Sequence, residues 1–148
     1  LMYYLCGKVK DMEGSVAIRR NKGVIEVEDT AEATIWFENG AEGIFYATNC
    51  NFKDSSVQVE LFFENGNLFL YRDSLYLVTD SGLEKLVDNH DYTGTEGKAC
   101  WGNGHAMMMK RFYDAINGSD DWYCDIADAV PVLEMIDRIY TTSKNKLR

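Results

Sequence analysis

Two asparagine–glycine pairs set between alternating runs constrain this chain more than any other feature. Phe37-Glu38-Asn39-Gly40 and Phe63-Glu64-Asn65-Gly66 repeat one four-residue string, each between runs in which apolar and polar residues alternate. A type I′ turn needs two residues that tolerate positive φ, and Asn-Gly meets that need, so each string predicts a tight antiparallel hairpin. In the first, Ala33, Ile35 and Phe37 fall on one side of the incoming strand, Thr34 and Trp36 on the other, and Ala41 to Thr48 returns. In the second, Val57, Val59, Leu61 and Phe63 share a face and Asn67 to Tyr71 returns. The two strings are too isolated for a solenoid and read as two hairpins built from the same turn chemistry. Ser15 to Arg20 also alternates, and Asp80-Ser81-Gly82 joins a weaker pair, Ser74 to Thr79 and Leu83 to Val87.

The period then changes. Leu1 to Leu5 is apolar and helix-compatible, with Gly7 placed as its C-terminal cap. Met109, Phe112, Tyr113 and Ile116 recur at helical spacing and stop at Asn117-Gly118. A last helical stretch sets Ile126, Ala129, Val130, Leu133, Ile136 and Tyr140 on one face. Asp125 or Asp128 caps it, and Pro131, tolerated only in the first turn, places its regular part from about Asp128. Lys144 to Arg148 sets positive charge at its C-terminus, as the helix dipole favours. The sum is α+β: an open, largely antiparallel sheet of about six strands with helices packed on one face. The other face mixes Trp36 and Phe62 with Thr34, Gln58 and Glu60, depending on register, and its aromatics point to an oligomer interface.

Charge and composition exclude several functions. Twenty-four acids against fifteen bases give a net charge of −9, the wrong sign for neutralising phosphates, so nucleic acid is not the expected partner. With 13% aromatic residues the chain is not disordered, and 148 residues bury enough surface for one domain, residues 1–148. No apolar run reaches the roughly 18–20 residues of a membrane span. The opening Leu1-Met2-Tyr3-Tyr4-Leu5-Cys6 is too short, and lacks the basic flank, for a signal peptide. Cys6, Cys50, Cys100 and Cys124 are scattered without metal-ligand or redox-motif spacing, which reads as reduced thiols in a cytoplasmic protein rather than a disulfide framework. The first residue is leucine, inside a helix-like run, as in a processed chain or a piece excised from a longer one.

Few residues carry chemistry. Asp88 to Gly104 reads as a long polar loop with Tyr92 and Trp101 embedded, and loops of that length are often functional. Gly102-Asn103-Gly104 precedes a helix but lacks the third glycine and the preceding strand of a dinucleotide fingerprint. Asp120-Asp121 ends a loop, no serine sits in a nucleophile elbow, and Met107 to Met109 are core and flank positions rather than a thioether cluster. His105 opens a helix after that loop. It is either a capping or surface histidine or a side chain projected at a substrate, where an imidazole can donate or accept a hydrogen bond near neutral pH. Trp101 either pins the loop or offers a ring face to a sugar-like ligand, and His90 reads as solvated.

Taken in order, these signals resemble the Gfo/Idh/MocA oxidoreductases, relatives of glucose-fructose oxidoreductase and inositol dehydrogenase. Glu28-Asp29-Thr30-Ala31 through Glu38-Asn39-Gly40-Ala41-Glu42-Gly43 is similar to the family's strand–turn–strand, and Val59 through Leu68 to the hairpin after it. Gly104-His105-Ala106 through Phe112-Tyr113-Asp114-Ala115-Ile116-Asn117-Gly118 resembles its histidine-led helix. Ala127-Asp128-Ala129-Val130 through Tyr140-Thr141-Thr142-Ser143 resembles the closing helix, and Leu1 to Gly7 the helix end that opens the domain.

The resemblance implies a two-domain enzyme of which this chain is the second half. The absent N-terminal Rossmann domain would bind NAD or NADP and carry the family's Glu-Lys-Pro lysine. The catalytic aspartate and histidine would lie upstream of Gly7. The chain alone would then bind no cofactor and be inert. It would contribute to a pocket for a sugar, polyol or related substrate, with His105 and Trp101 as the residues offered to it, and would form a homo-oligomer through its open sheet. The rival expectation is a stand-alone, non-catalytic binding or assembly module with the same fold.

Overall fold

A computed structural model describes residues 1–52, 55–71, 74–88, 104–119 and 125–143. The chain divides into two compact units, Leu1–Phe52 with Cys124–Arg148, and Lys53–Tyr123. It is α+β with open antiparallel sheets, but the expected single sheet of about six strands is seven strands in a group of three and a group of four.

In the first unit, α1 (Met2–Cys6) leads into β1 (Val9–Ala17), β2 (Thr30–Phe37) and β3 (Glu42–Thr48), which pair antiparallel in the order β1-β2-β3. As expected, Gly7 ends α1, at φ 83°, with its N–H donating to the Tyr3 carbonyl. Met12 lies opposite Ile35, Gly14 opposite Ala33 and Val16 opposite Ala31, while Ile35 faces Gly43 across the next ladder. These residues therefore share one face. Met12, Val16, Ala33, Ile35 and Phe37 are buried there with Ile139 of α3 (Val130–Thr142). Removing each large apolar side chain from water contributes about 1.5–3 kcal/mol.

Two glycines in the strands let helices sit close. A Cβ on Gly14 would lie 2.7 Å from the Cα of Ile139, and one on Gly43 would lie 2.6 Å from Cε of Met2. Both helices of this unit thus pack on the same face of the sheet. The surface of α3 that packs is not the one expected. Met135 and Ile139 turn inward, whereas Ile126, Val130, Leu133, Ile136 and Tyr140 remain exposed. Close approach at Gly14, rather than the widest apolar stripe, decides which surface docks. The helix start follows expectation: Asp125 and Asp128 form a reciprocal capping box around the 3₁₀ turn Ile126–Ala129, and Pro131 sits in the first turn of α3. At the other end, the edge of β1 is closed by side chains. The Gly14 N–H donates to Thr142 Oγ1 (2.8 Å) and the Val16 N–H to Ser143 Oγ (3.1 Å).

The second unit contains β4 (Gln58–Phe63), β5 (Gly66–Tyr71), β6 (Ser74–Thr79) and β7 (Gly82–Val87), antiparallel and in sequence order, followed by α2 (Gly104–Ile116). On one face Phe69 stacks on Tyr71 at 5.7 Å and tilts against Tyr76 at 6.3 Å, and Lys85 stands 5.6 Å over the Tyr76 ring.

The repeated turn strings resolve into two different turns, neither the expected type I′ with Asn-Gly at its centre. In the first, Gly40 N–H donates to Phe37 O and Phe37 N–H to Ala41 O, enclosing three residues with Gly40 at φ 89°. Asn39 is occupied in bracing α1, with Nδ2 donating to Cys6 O (3.0 Å) and Oδ1 accepting from the Ala41 N–H (3.0 Å). In the second, Phe63 pairs directly with Gly66, so Glu64 and Asn65 form the turn.

Candidate functional site

Of the two residues expected to face a substrate, His105 is described and Trp101 lies outside the described residues, as do His90, Tyr92, Cys100, Gly102, Asn103, Asp120, Asp121, Cys124 and the tail from Lys144. His105 is the second residue of α2, in its first turn, and is exposed. Helical spacing sets Met109, Phe112 and Ile116 on its side of the helix, all exposed, with Phe112 edge-on to Tyr113. On another flank Lys110 pairs with Asp114. The helix closes as expected, with Gly118 at φ 73° and the Gly118 and Ser119 N–H groups returning to Ala115 and Asp114 carbonyls. The result is an apolar wall with an imidazole at one end. That arrangement can orient a ligand hydroxyl. Among the described residues no acid is paired with His105 there.

The most strongly organised polar group lies elsewhere. Asp29, at the entrance to β2, is buried, and its carboxylate accepts N–H bonds from three successive residues: Arg19 at 2.7 Å, Arg20 at 2.8 Å and Asn21 at 2.9 Å. Its own carbonyl accepts from Thr48 Oγ1 and the Asn49 N–H. Burial raises the pKa of this carboxyl, but the backbone donors and the Cys50 thiol outweigh that and hold it well below the usual carboxylate range. The same bonds explain why β1 stops at Ala17 instead of continuing to Arg20, since the N–H groups of residues 19–21 are turned away from the sheet ladder. In the sequence Asp29 was visible only as part of a family string, because backbone donors leave no side-chain signature. Tyr140 is a second pinned group. Its hydroxyl donates to Glu28 Oε1, and that bond, with burial and the Glu28 charge, raises its pKa.

Among the described residues, concave surfaces occur within single units. One of about 620 Å³ lies at the turn end of β4–β7, between Asn65, Asn67 and Ser81, and one of about 500 Å³ runs along α3 past Leu133 and Asp137. Neither includes His105. Among the described residues no group of three or more His, Cys, Asp or Glu side chains is placed to hold a metal, and no described helix is long and apolar enough to cross a membrane. A dinucleotide cradle is a strand, a glycine-rich turn and a helix in a parallel sheet. Every described strand pairs antiparallel, so these residues do not fit that group.

Comparison with known proteins places this arrangement. A search of curated proteins returns no match. Among solved structures, an oxidoreductase from Agrobacterium radiobacter, in complex with NAD+, L-tartaric acid and magnesium, superposes with a TM-score of 0.75 at 14% identity, over 97% of this chain and 44% of that one. A levoglucosan dehydrogenase, in complex with NADH and levoglucosan, gives 0.72 at 23% identity over 96% and 44%. The UDP-N-acetylglucosamine 3-dehydrogenase of Acidithiobacillus ferrooxidans gives 0.68 at 16% over 95% and 42%. The chain thus spans less than half the length of these relatives. The family model described as "Oxidoreductase family, C-terminal alpha/beta domain" matches residues 1–147, and the chain belongs to that family, the C-terminal domain of the Gfo/Idh/MocA oxidoreductases.

Proposed function

We propose that this chain is the substrate-side and oligomerisation half of an NAD- or NADP-dependent oxidoreductase that acts on a sugar, polyol or related compound. The family match over residues 1–147 carries the reading. Relatives solved with NAD+ and L-tartaric acid, and with NADH and levoglucosan, support the substrate class. The parent reaction is hydride transfer between a C–OH or C=O carbon and a nicotinamide held by a separate Rossmann domain. This chain's part is orientation: His105 hydrogen-bonds a substrate hydroxyl, the Met109/Phe112/Ile116 wall excludes water beside it, and Trp101 lies against the sugar ring. The chain by itself is inactive, and the intact protein works in the cytoplasm.

The test is an assay of the intact protein against a panel of sugars and polyols, following nicotinamide reduction, with His105→Ala alongside. The substitution should raise KM for the best substrate about tenfold or more, the scale of one lost hydrogen bond of about 1.5 kcal/mol, and leave nucleotide affinity unchanged. An unchanged KM removes His105 from the site. A second reading is a stand-alone binding or assembly module, with which the antiparallel pairing of the described strands agrees equally well. Saturable NADH binding by the purified chain would count against both.

The outward face of the three-stranded sheet is the proposed contact with a second copy. Register puts Thr34 and Trp36 there beside Ile44 and Tyr46, which are 84% and 61% exposed.

A further inference from the structure

The connection between β1 and β2 concentrates positive charge in an acidic protein. Arg19, Arg20 and Lys22 lie within four residues of a chain whose net charge is −9, and all three are exposed. Among the described residues, ion pairs engage Lys85, Lys110 and Arg138, and none engages these three. Their backbone is fixed on both sides. The Asp29 carboxylate holds the N–H groups of Arg19, Arg20 and Asn21, and the Asn21 carbonyl accepts from Val24 (3.0 Å) and Ile25 (3.2 Å) around Gly23 at φ 81°.

Three successive N–H groups that converge on one carboxylate curl the chain around it and fix its backbone, while the Arg19, Arg20 and Lys22 side chains stay exposed. The buried carboxylate occupies the main-chain donors, and the guanidinium and ammonium groups are left to solvent. We propose that this turn binds a phosphate-bearing small molecule through Arg19, Arg20 and Lys22. Guanidinium forks match phosphate oxygens, and a backbone already held in place lowers the ordering cost of engaging them. The partner is small because the cationic footprint is only four residues long, with Glu13, Glu26, Glu28 and Glu32 nearby in sequence or along the adjoining strands. A longer polyanion would meet that negative charge. Val24 and Val27, 81% and 60% exposed on the same connection, offer apolar surface to an organic portion of the ligand.

The experiment is an amide-resolved NMR titration of the protein with inorganic phosphate, pyrophosphate and a nucleoside diphosphate, at ionic strength matched with sodium chloride. Pyrophosphate should give saturable shifts confined to residues 19–25 and bind more tightly than phosphate. The triple variant Arg19→Gln, Arg20→Gln, Lys22→Gln should weaken it at least tenfold with Tm unchanged. A nucleoside diphosphate that binds more tightly than pyrophosphate identifies an organic phosphate ester as the ligand, and equal affinity identifies the free anion. Shifts reproduced by chloride alone, shifts centred elsewhere, or full affinity in the triple variant would overturn the proposal. It is independent of the oxidoreductase reading and survives that reading's failure.

Discussion

The two units are built from the same kind of antiparallel hairpin, yet among the described residues only the first encloses a buried apolar cluster. In the three-stranded unit Met12, Val16, Ala33, Ile35, Phe37 and Ile139 form a buried cluster, closed by helices that approach through Gly14 and Gly43. In the four-stranded unit Ser74 is the one described residue that is buried, the leucines of β5 and β6 are half-buried, and the apolar stripe of α2 is exposed. Burial, not strand pairing, supplies most of the stability of such folds. Among the described residues the first unit is therefore the more tightly packed platform, and the second leaves more of its apolar surface exposed. The sharpest way to break that comparison is Phe37→Ala, which should cost about 3–5 kcal/mol, against about 1–2 kcal/mol for Leu77→Ala in β6, where less of the side chain is withdrawn from water. Chemical denaturation of the two variants reads both values. Equal losses would mean that the second unit is as tightly packed as the first.

Next in size is Gly14→Ala. The added Cβ meets the backbone of Ile139, which cannot rotate away as a side-chain tip would, so α3 must lift from β1 and strain the Thr142 and Ser143 bonds to the strand edge. The expected loss is about 1–3 kcal/mol. Gly40→Ala makes a useful control: no atom lies within 4 Å of its Cβ, and only the positive φ opposes it, so about 1 kcal/mol is expected. If the two substitutions cost the same, close packing at Gly14 is not what seats the helix.

These contrasts also separate what the chain's letters reveal from what they conceal. The hairpins, the cap at Gly7 and the stop at Asn117-Gly118 were readable because each depends on a local φ requirement or on alternation. The turn type was not, because Phe-Glu-Asn-Gly closes a three-residue loop where Asn39 braces α1 and a two-residue turn where it has no such task. The packed surface of α3 was misread because periodicity ranks stripes by apolar content, whereas Gly14, a partner distant in sequence, selects Ile139. As for the candidate site, its histidine could be placed on a helix start from spacing alone. Its partners could not be named, since a histidine in the first turn of a helix carries no spacing signal for what faces it.

Acid should act on the platform through Asp29. Its folded-state pKa lies below its unfolded value of about 3.9, so the stability it contributes is fully present above that value and is lost as pH falls through the folded pKa. Denaturation midpoints measured from pH 7 downward should therefore stay level to about pH 5 and then decline. In Asp29→Asn, already destabilised at neutral pH, the part of the acid slope owed to this residue should be gone. An unchanged slope would show that other carboxylates govern acid unfolding.

The smallest effect on stability should come from the surface that the comparison treats as a contact rather than a core. Ile44 stands on the outward face of β3, opposite Thr34 of β2, with almost all of its side chain in water. Ile44→Asp should thus change unfolding free energy by no more than about 0.5 kcal/mol, as exposed positions generally do. If copies of this chain associate through that face, however, the buried carboxylate would have no partner, and sedimentation velocity should show the assembly dissociating to monomer. The two readouts divide the possibilities. Dissociation with stability preserved identifies an interface, whereas an unaltered mass would move the contact to the exposed helix stripes and leave Trp36, Ile44 and Tyr46 as solvated residues of a platform whose strength lies on its other face.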